Sequence, residues 1–196
     1  GVGTIWKNSY GSLSSAIVTR GSVTRETEGS SSEILPTVDN DGVEFNKVYQ
    51  QYANLNETNL GNTLTFAIWA KINNTQQTYQ RLIDFTTRDN KERISLMQHA
   101  TATQYLAQIW HDNTNQTQSQ ISGVNFTLNT WHHIVWVIDK NTNTVKFYLD
   151  GNNVSSRSTS KFPNLTSRTN SYIGRGYGNN RYLDGKIKSF NIWERA

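Results

Sequence analysis

The stretch WHHIVWVIDKNTNTVKFYLDG, running from Trp131 to Gly151, decides the fold class. Ile134, Trp136 and Ile138 alternate with His133, Val135, Val137 and Asp139, the period of two that marks a strand with one buried face. The polar run from Lys140 to Asn143 breaks the pattern, and Val145, Phe147 and Leu149 then alternate with Lys146, Tyr148 and Asp150 in a second strand. Asp150 and Gly151 close it as a turn, because glycine tolerates the positive φ of a tight hairpin. Asn153 to Ser158 is the expected return strand. Trp136, between two isoleucines on its face, is predicted to lie in the core, and Trp69 and Trp193 are read the same way. His132 and His133 are neighbours, so they face opposite sides of the strand. They are read as strand-end packing and hydrogen-bonding groups.

The rest of the chain agrees with an all-β protein. With 13 Gly against 2 Pro, and much Asn, Ser and Thr, it has the makings of many turns between short strands. No stretch keeps a helical period, and no apolar run approaches the ~18 residues of a membrane-spanning helix. At 196 residues one domain is expected, with room for a sizeable core. Without cysteine there is no disulfide, thiolate metal site or thiol nucleophile. The net charge of +4 is scattered rather than blocked, which reads as solubility rather than nucleic-acid binding. The six Asn-x-Ser/Thr sequons are about what so much Asn, Ser and Thr yields by chance. The chain starts at Gly1 with no signal or transit pattern and stops at Ala196, so it is read as a mature product or a cut from a longer protein.

Several segments in order carry a family resemblance. The Trp131–Gly151 hairpin, with its histidines, its Asp-terminated strand and its Tyr-x-Asp-Gly ending, resembles laminin-G-like and pentraxin-like domains. Leu64–Ile72 (LTFAIWAKI), Tyr172–Arg175 (YIGR) and Leu183–Trp193 (LDGKIKSFNIW) resemble the early, late and closing strands of that group. Asp41–Phe45 with Tyr52–Leu55 resembles its opening pair. The resemblance spans residues 38–196 and implies a two-sheet antiparallel jelly-roll sandwich of the concanavalin-A-like kind. Residues 1–37 are expected to form an irregular N-terminal strand or arm, ending in a polar loop, within the same domain. Docking of that arm on a neighbouring subunit or domain is the alternative.

Such jelly rolls include glycan-cleaving enzymes, which aim two carboxylates into one cleft from alternate strand positions. Among the 15 carboxylates, Glu26 with Glu28 and Asp39 with Asp41 have that spacing, but both pairs sit in loops or turns. His99 and His111 are isolated. The protein is therefore expected not to be an enzyme. The resemblance also implies a calcium site in many relatives, often with Asp after the Gly-x-Ile of the closing strand. Lys188 stands there instead, and an ammonium cannot ligate a cation. Asp39 and Asp41 are the best remaining oxygen cluster for calcium, with a plain turn held by Asx bonds preferred. No cofactor is expected.

Glycan binding is the positive expectation, because aromatic faces and planar polar side chains hold sugars. Two segments supply them. The first holds Trp110, His111, Asp112 and Asn113 where a strand enters a polar loop. The second is the loop with Arg175, Tyr177, Asn179, Asn180, Arg181 and Tyr182, whose arginines suit an acidic sugar. Whether Trp110 is core or contact stays open. The chain is read as a non-catalytic carbohydrate-binding adhesion module, extracellular or on a cell or virion surface. The alternative is a structural subunit of a homo-oligomer or larger assembly, such as a virion, fibre or surface-layer domain. No nucleic acid or membrane insertion is expected.

Overall fold

The computed structural model describes residues 5–6, 16–19, 36–55, 57–111, 119–178 and 181–196. In chain order its strands are β1 (Ile5–Trp6), β2 (Ala16–Thr19), β3 (Thr37–Asp39), β4 (Gly42–Phe45), β5 (Tyr52–Asn54), β6 (Thr58–Leu60), β7 (Thr63–Ile72), β8 (Arg81–Thr86) and β9 (Arg93–Gln98). They continue with β10 (Gln104–Trp110), β11 (Ser119–Asn125), β12 (His132–Asp139), β13 (Thr144–Leu149), β14 (Asn152–Ser158), β15 (Thr166–Arg168), β16 (Asn170–Ile173) and β17 (Gly185–Trp193). One sheet runs β1-β2-β5-β16-β8-β9-β10-β11 and the other β14-β13-β12-β7-β17-β4-β3, with every pairing antiparallel. This is the expected two-sheet sandwich. Of the N-terminal segment, Ile5–Trp6 and Ala16–Thr19 extend the first sheet beyond Tyr52–Asn54; the rest of the expected arm and its polar loop lies outside the described residues. Among the described residues no helix is long and apolar enough to cross a membrane.

The decisive hairpin forms as its pattern requires. Ile134, Trp136 and Ile138 are buried on β12, opposite buried Phe147 and Val145 on β13. Trp136 stacks on Phe66 with ring centroids 5.5 Å apart. Leu149 pairs with Asn152 across Asp150 (φ 51) and Gly151 (φ 82), the doubly positive turn that matches strand twist. The histidines take opposite sides. His132 Nε2 accepts the Thr127 amide at 3.1 Å, which leaves Nδ1–H to donate to Asp150 Oδ2 at 2.8 Å. The other Asp150 oxygen accepts the His133 amide at 2.8 Å. The spacing of His132 and Asp150-Gly151 thus makes a clip that ties the start of β12 to the end of β13.

Two tryptophan expectations need correction. Trp69 is 40% exposed on the outward face of β7, stacked on His133 with centroids 5.0 Å apart. Its strand buries Leu64, Phe66, Ile68, Ala70 and Ile72, and Trp69 has the opposite parity. Trp193 is only half-buried, because the register of β17 shifts between Ile187 and Ser189 and changes which residues point inward. Lys188 sits in that shift, exposed.

Candidate functional site

On β8 and β9 every residue is buried, so both faces of this part of the sheet are covered. The inward face supplies Ile83, Phe85, Ile94 and Leu96 to the core. The outward face carries Asp84 opposite Ser95, and Arg93 opposite Trp110 of β10. The chain after β16 folds across this face: the Arg81 amide donates to the Arg181 carbonyl at 3.4 Å and the Tyr177 amide to Asp84 Oδ2 at 2.8 Å. Polar strand residues are thereby buried beneath a loop.

Between loop and sheet lies a pocket of about 470 Å³, lined by Tyr79, Arg81, Asn90, Arg93, Met97, Gln108, Trp110, Tyr177, Gly178 and Arg181. Its aromatic walls are held by specific contacts. The Tyr177 hydroxyl donates to the Arg88 carbonyl at 3.0 Å. Trp110 lies over the Arg93 guanidinium at 5.0 Å, and Tyr79 over Arg181 at 4.7 Å. Asp84, wholly buried, accepts a hydrogen bond from Arg93 Nη2 at 3.0 Å on Oδ2, and its Oδ1 stands 2.9 Å from Arg93 Nε as an ion pair. Arg81 is 4% exposed; its Nη1 donates to the Tyr79 carbonyl at 3.1 Å and its Nε stands 4.0 Å from Asp84 Oδ2. Burial draws the Arg81 guanidinium down to about 10; Asp84 resists, and Arg93 and Arg181 press the same way as burial. The pocket is aromatic-walled and basic.

Of the residues singled out in the sequence, the pocket unites Trp110, Tyr177 and Arg181 from distant segments. Trp110 is half-buried in a pocket wall rather than in the core. His111 points away from its neighbour; it meets Glu92 at 3.1 Å and lines a second cavity of about 230 Å³ with Lys140, Lys161 and Asn164. Arg175 also lies outside the pocket. It sits among Tyr52, Tyr172 and Tyr182, 4.7, 5.0 and 5.8 Å from their ring centres. Tyr182 is buried there, its hydroxyl donating to Gln50 at 3.4 Å. Asp112, Asn113, Asn179 and Asn180 lie outside the described residues. Asp39 and Asp41 form a hairpin turn: the Asp41 amide donates to Asp39 Oδ1 at 2.8 Å, and Lys186 Nζ donates to Asp39 Oδ2 at 2.7 Å. The Lys186 hydrogen bond holds the Asp39 carboxyl below its ordinary value. Among the described residues no three His, Cys, Asp or Glu cluster as metal ligands.

Reading the sequence for exposed loops missed Tyr79, Arg81, Asp84, Asn90, Arg93 and Gln108. A signal for several was present. Asp84 in RLIDFT and Arg93 in RISLMQ are charges on strands that also carry Ile83, Phe85, Ile94 and Leu96, and Gln108 stands two residues before Trp110 on β10.

Residues 46–196 match a laminin G family model described as the concanavalin A-like lectin/glucanases superfamily. No curated protein matches the sequence. Among solved structures, domain 4 of AbnA, an extracellular GH43 arabinanase of Geobacillus stearothermophilus in complex with arabinotriose, has a TM-score of 0.64 at 16% identity, covering 94% of this chain and 84% of that one. The CBM40 of Ruminococcus gnavus IT-sialidase, bound to α2,3-sialyllactose, has a TM-score of 0.58 at 12% identity, covering 70% and 78%. A heptameric SAP-like pentraxin of Limulus polyphemus has a TM-score of 0.56 at 13% identity, covering 82% and 74%. At these identities the likeness is one of fold.

Proposed function

This chain belongs to the concanavalin A-like lectin/glucanases superfamily, and from that premise we propose that it is a non-catalytic carbohydrate-binding module seated outside a cell or on a particle surface. The carrying observation is the pocket in which Trp110, Tyr177 and Tyr79 stand around Arg81, Arg93 and Arg181. Aromatic faces pack on pyranose C–H groups, and fixed planar donors order the hydroxyls. The solved relatives that hold arabinotriose and sialyllactose support a sugar as ligand. A non-catalytic role is supported by the lining. None of the described lining residues is a carboxylate, and Asp84 behind them is committed to Arg93 and the Tyr177 amide. Among the described residues the pocket therefore presents no acid pair of the kind glycoside hydrolysis uses. Residues 1–37 are proposed to belong to the same domain, as an arm on its edge.

A glycan array probed with the labelled protein, alongside Tyr177→Ala, tests this reading. Binding to a defined sugar set that the variant loses is expected; an array without signal overturns it. An assembly subunit is the second reading, favoured by the outward face of β7 and β12, where Trp69 is 40% exposed and stacked on His133. Light scattering separates the two: an oligomer that Trp69→Ser dissociates supports assembly, and a monomer supports the module.

A further inference from the structure

Resting on that carbohydrate-binding reading, we propose that the pocket takes a sugar bearing a carboxylate, and that Arg81, Arg93 and Arg181 receive that carboxylate. The sequence pointed to Arg175 and Arg181; the structure takes Arg175 out and brings in two arginines from the strands. Three guanidiniums line the pocket, and among the described residues Asp84 is the only carboxylate paired with them. Asp84 is spent mainly on Arg93, at 2.9 and 3.0 Å. Arg81, 4% exposed, is left with an Nε that has no hydrogen-bond partner and stands 4.0 Å from Asp84. A buried cation that outnumbers its counterions is costly unless an anion completes it.

Arg168 shows that a buried arginine of this chain can be satisfied by the chain itself. It too is fully buried, but it donates to four carbonyls, those of Leu60, Glu92, Asn164 and Thr166, at 2.6 to 3.2 Å. Its donors are used within the chain, whereas Arg81 spends Nη1 on the Tyr79 carbonyl and the Met97 sulfur and keeps an Nε without a hydrogen-bond partner at the cavity. A second unpartnered polar atom, Asn90 Oδ1, belongs to the same lining and can accept a sugar hydroxyl. The chemistry points to a carboxylate on a ring. A planar guanidinium fork matches a carboxylate in two parallel bonds, and Tyr79, Trp110 and Tyr177 offer faces to the ring that carries it. The guanidiniums of Arg93 and Arg181 are already stacked on Trp110 and Tyr79, so little ordering remains on binding.

Calorimetric titration of the intact protein tests the proposal with matched sugars. One pair is sialyllactose against lactose. The other is a glucuronate-containing hyaluronan tetrasaccharide against its carboxyl-reduced form. At least one acid is expected to bind about tenfold or more tightly than its neutral partner, as a charge-assisted hydrogen bond allows. The pair that responds identifies the source of the carboxylate. Arg81→Gln and Arg181→Gln are each expected to lower the acid-to-neutral affinity ratio about tenfold. Arg181 is half-buried at the rim, so its variant remains informative if Arg81→Gln does not fold. Equal binding of acid and neutral sugars overturns the carboxylate assignment and leaves the glycan reading standing. An acid preference that survives both substitutions overturns the residue assignment. Binding of none of these sugars, with an array that is also blank, overturns both.

Discussion

Arg168 and Arg81 are both buried arginines whose guanidiniums burial draws down to about 10, yet their surroundings differ in kind. Arg168 gathers the backbone carbonyls of Leu60, Glu92, Asn164 and Thr166, and so binds the β6–β15 pair to the turn before β9. Its charge is stabilised by carbonyl dipoles that would otherwise be unsatisfied acceptors. Arg81 makes one backbone bond, to Tyr79, beside a carboxylate that Arg93 already holds. The contrast teaches that burial of a cation does not by itself reveal its role. What its donors face decides between a structural tie and a binding group.

The largest expected effect sets the scale for both. Trp136→Ala should cost about 3–5 kcal/mol, because a 2%-exposed ring stacked on Phe66 would be replaced by a cavity. Chemical denaturation measures it, and a loss below about 1 kcal/mol would mean that the two sheets close over the gap. Arg168→Met should follow at about 3 kcal/mol, since it leaves several buried carbonyls without donors. A loss close to zero would erase its distinction from Arg81.

Asp150→Asn should cost about 1 kcal/mol at neutral pH through the weakened clip to His132 and the His133 amide. Burial alone would raise the Asp150 carboxyl, but the bonds and charges of the two histidines leave it below its ordinary value of 3.8. A depressed carboxyl contributes stability above its unfolded pKa and loses it as pH falls through the folded value. The gap in melting temperature between wild type and variant should therefore be constant above pH ~5 and shrink below pH ~4. A gap that persists at pH 2 would show that shape, not charge, holds the clip. The smallest effect on stability is expected at the pocket. Arg81→Met should shift stability by under about 1 kcal/mol, since it removes a desolvated charge while Asp84 keeps Arg93. Destabilisation as large as that of Arg168→Met would make Arg81 a structural tie.

The hairpin from Trp131 to Gly151 was legible because each of its signals is local. Period two names the buried face, and Asp-Gly names the turn. The same rule, applied to β7, puts Trp69 on the side of Thr65, Ala67 and Lys71, although its bulk suggests core. For Trp193 the rule fails in the sequence alone, because the register shift at Lys188 leaves no local mark. The candidate site was half legible. Trp110, Tyr177 and Arg181 are aromatic or basic residues beside glycine and polar loops, the kind of residue a sugar site needs. Tyr182 and Arg175 have the same composition, and the fold placed them in a separate cluster with Tyr52 and Tyr172.

By itself, the sequence determined the β12–β13 hairpin, its turn and its inward face, since these follow from alternation and from the few residues that accept positive φ. Only the tertiary structure decided the pocket. Arg81, Arg93 and Trp110 are set side by side by the pairing of β8, β9 and β10, and they become a buried basic wall only because the chain around Tyr177 and Arg181 folds over them. Which charge lacks a counterion is a property of that three-dimensional arrangement, because electrostatic compensation depends on distance in space and not on separation along the chain.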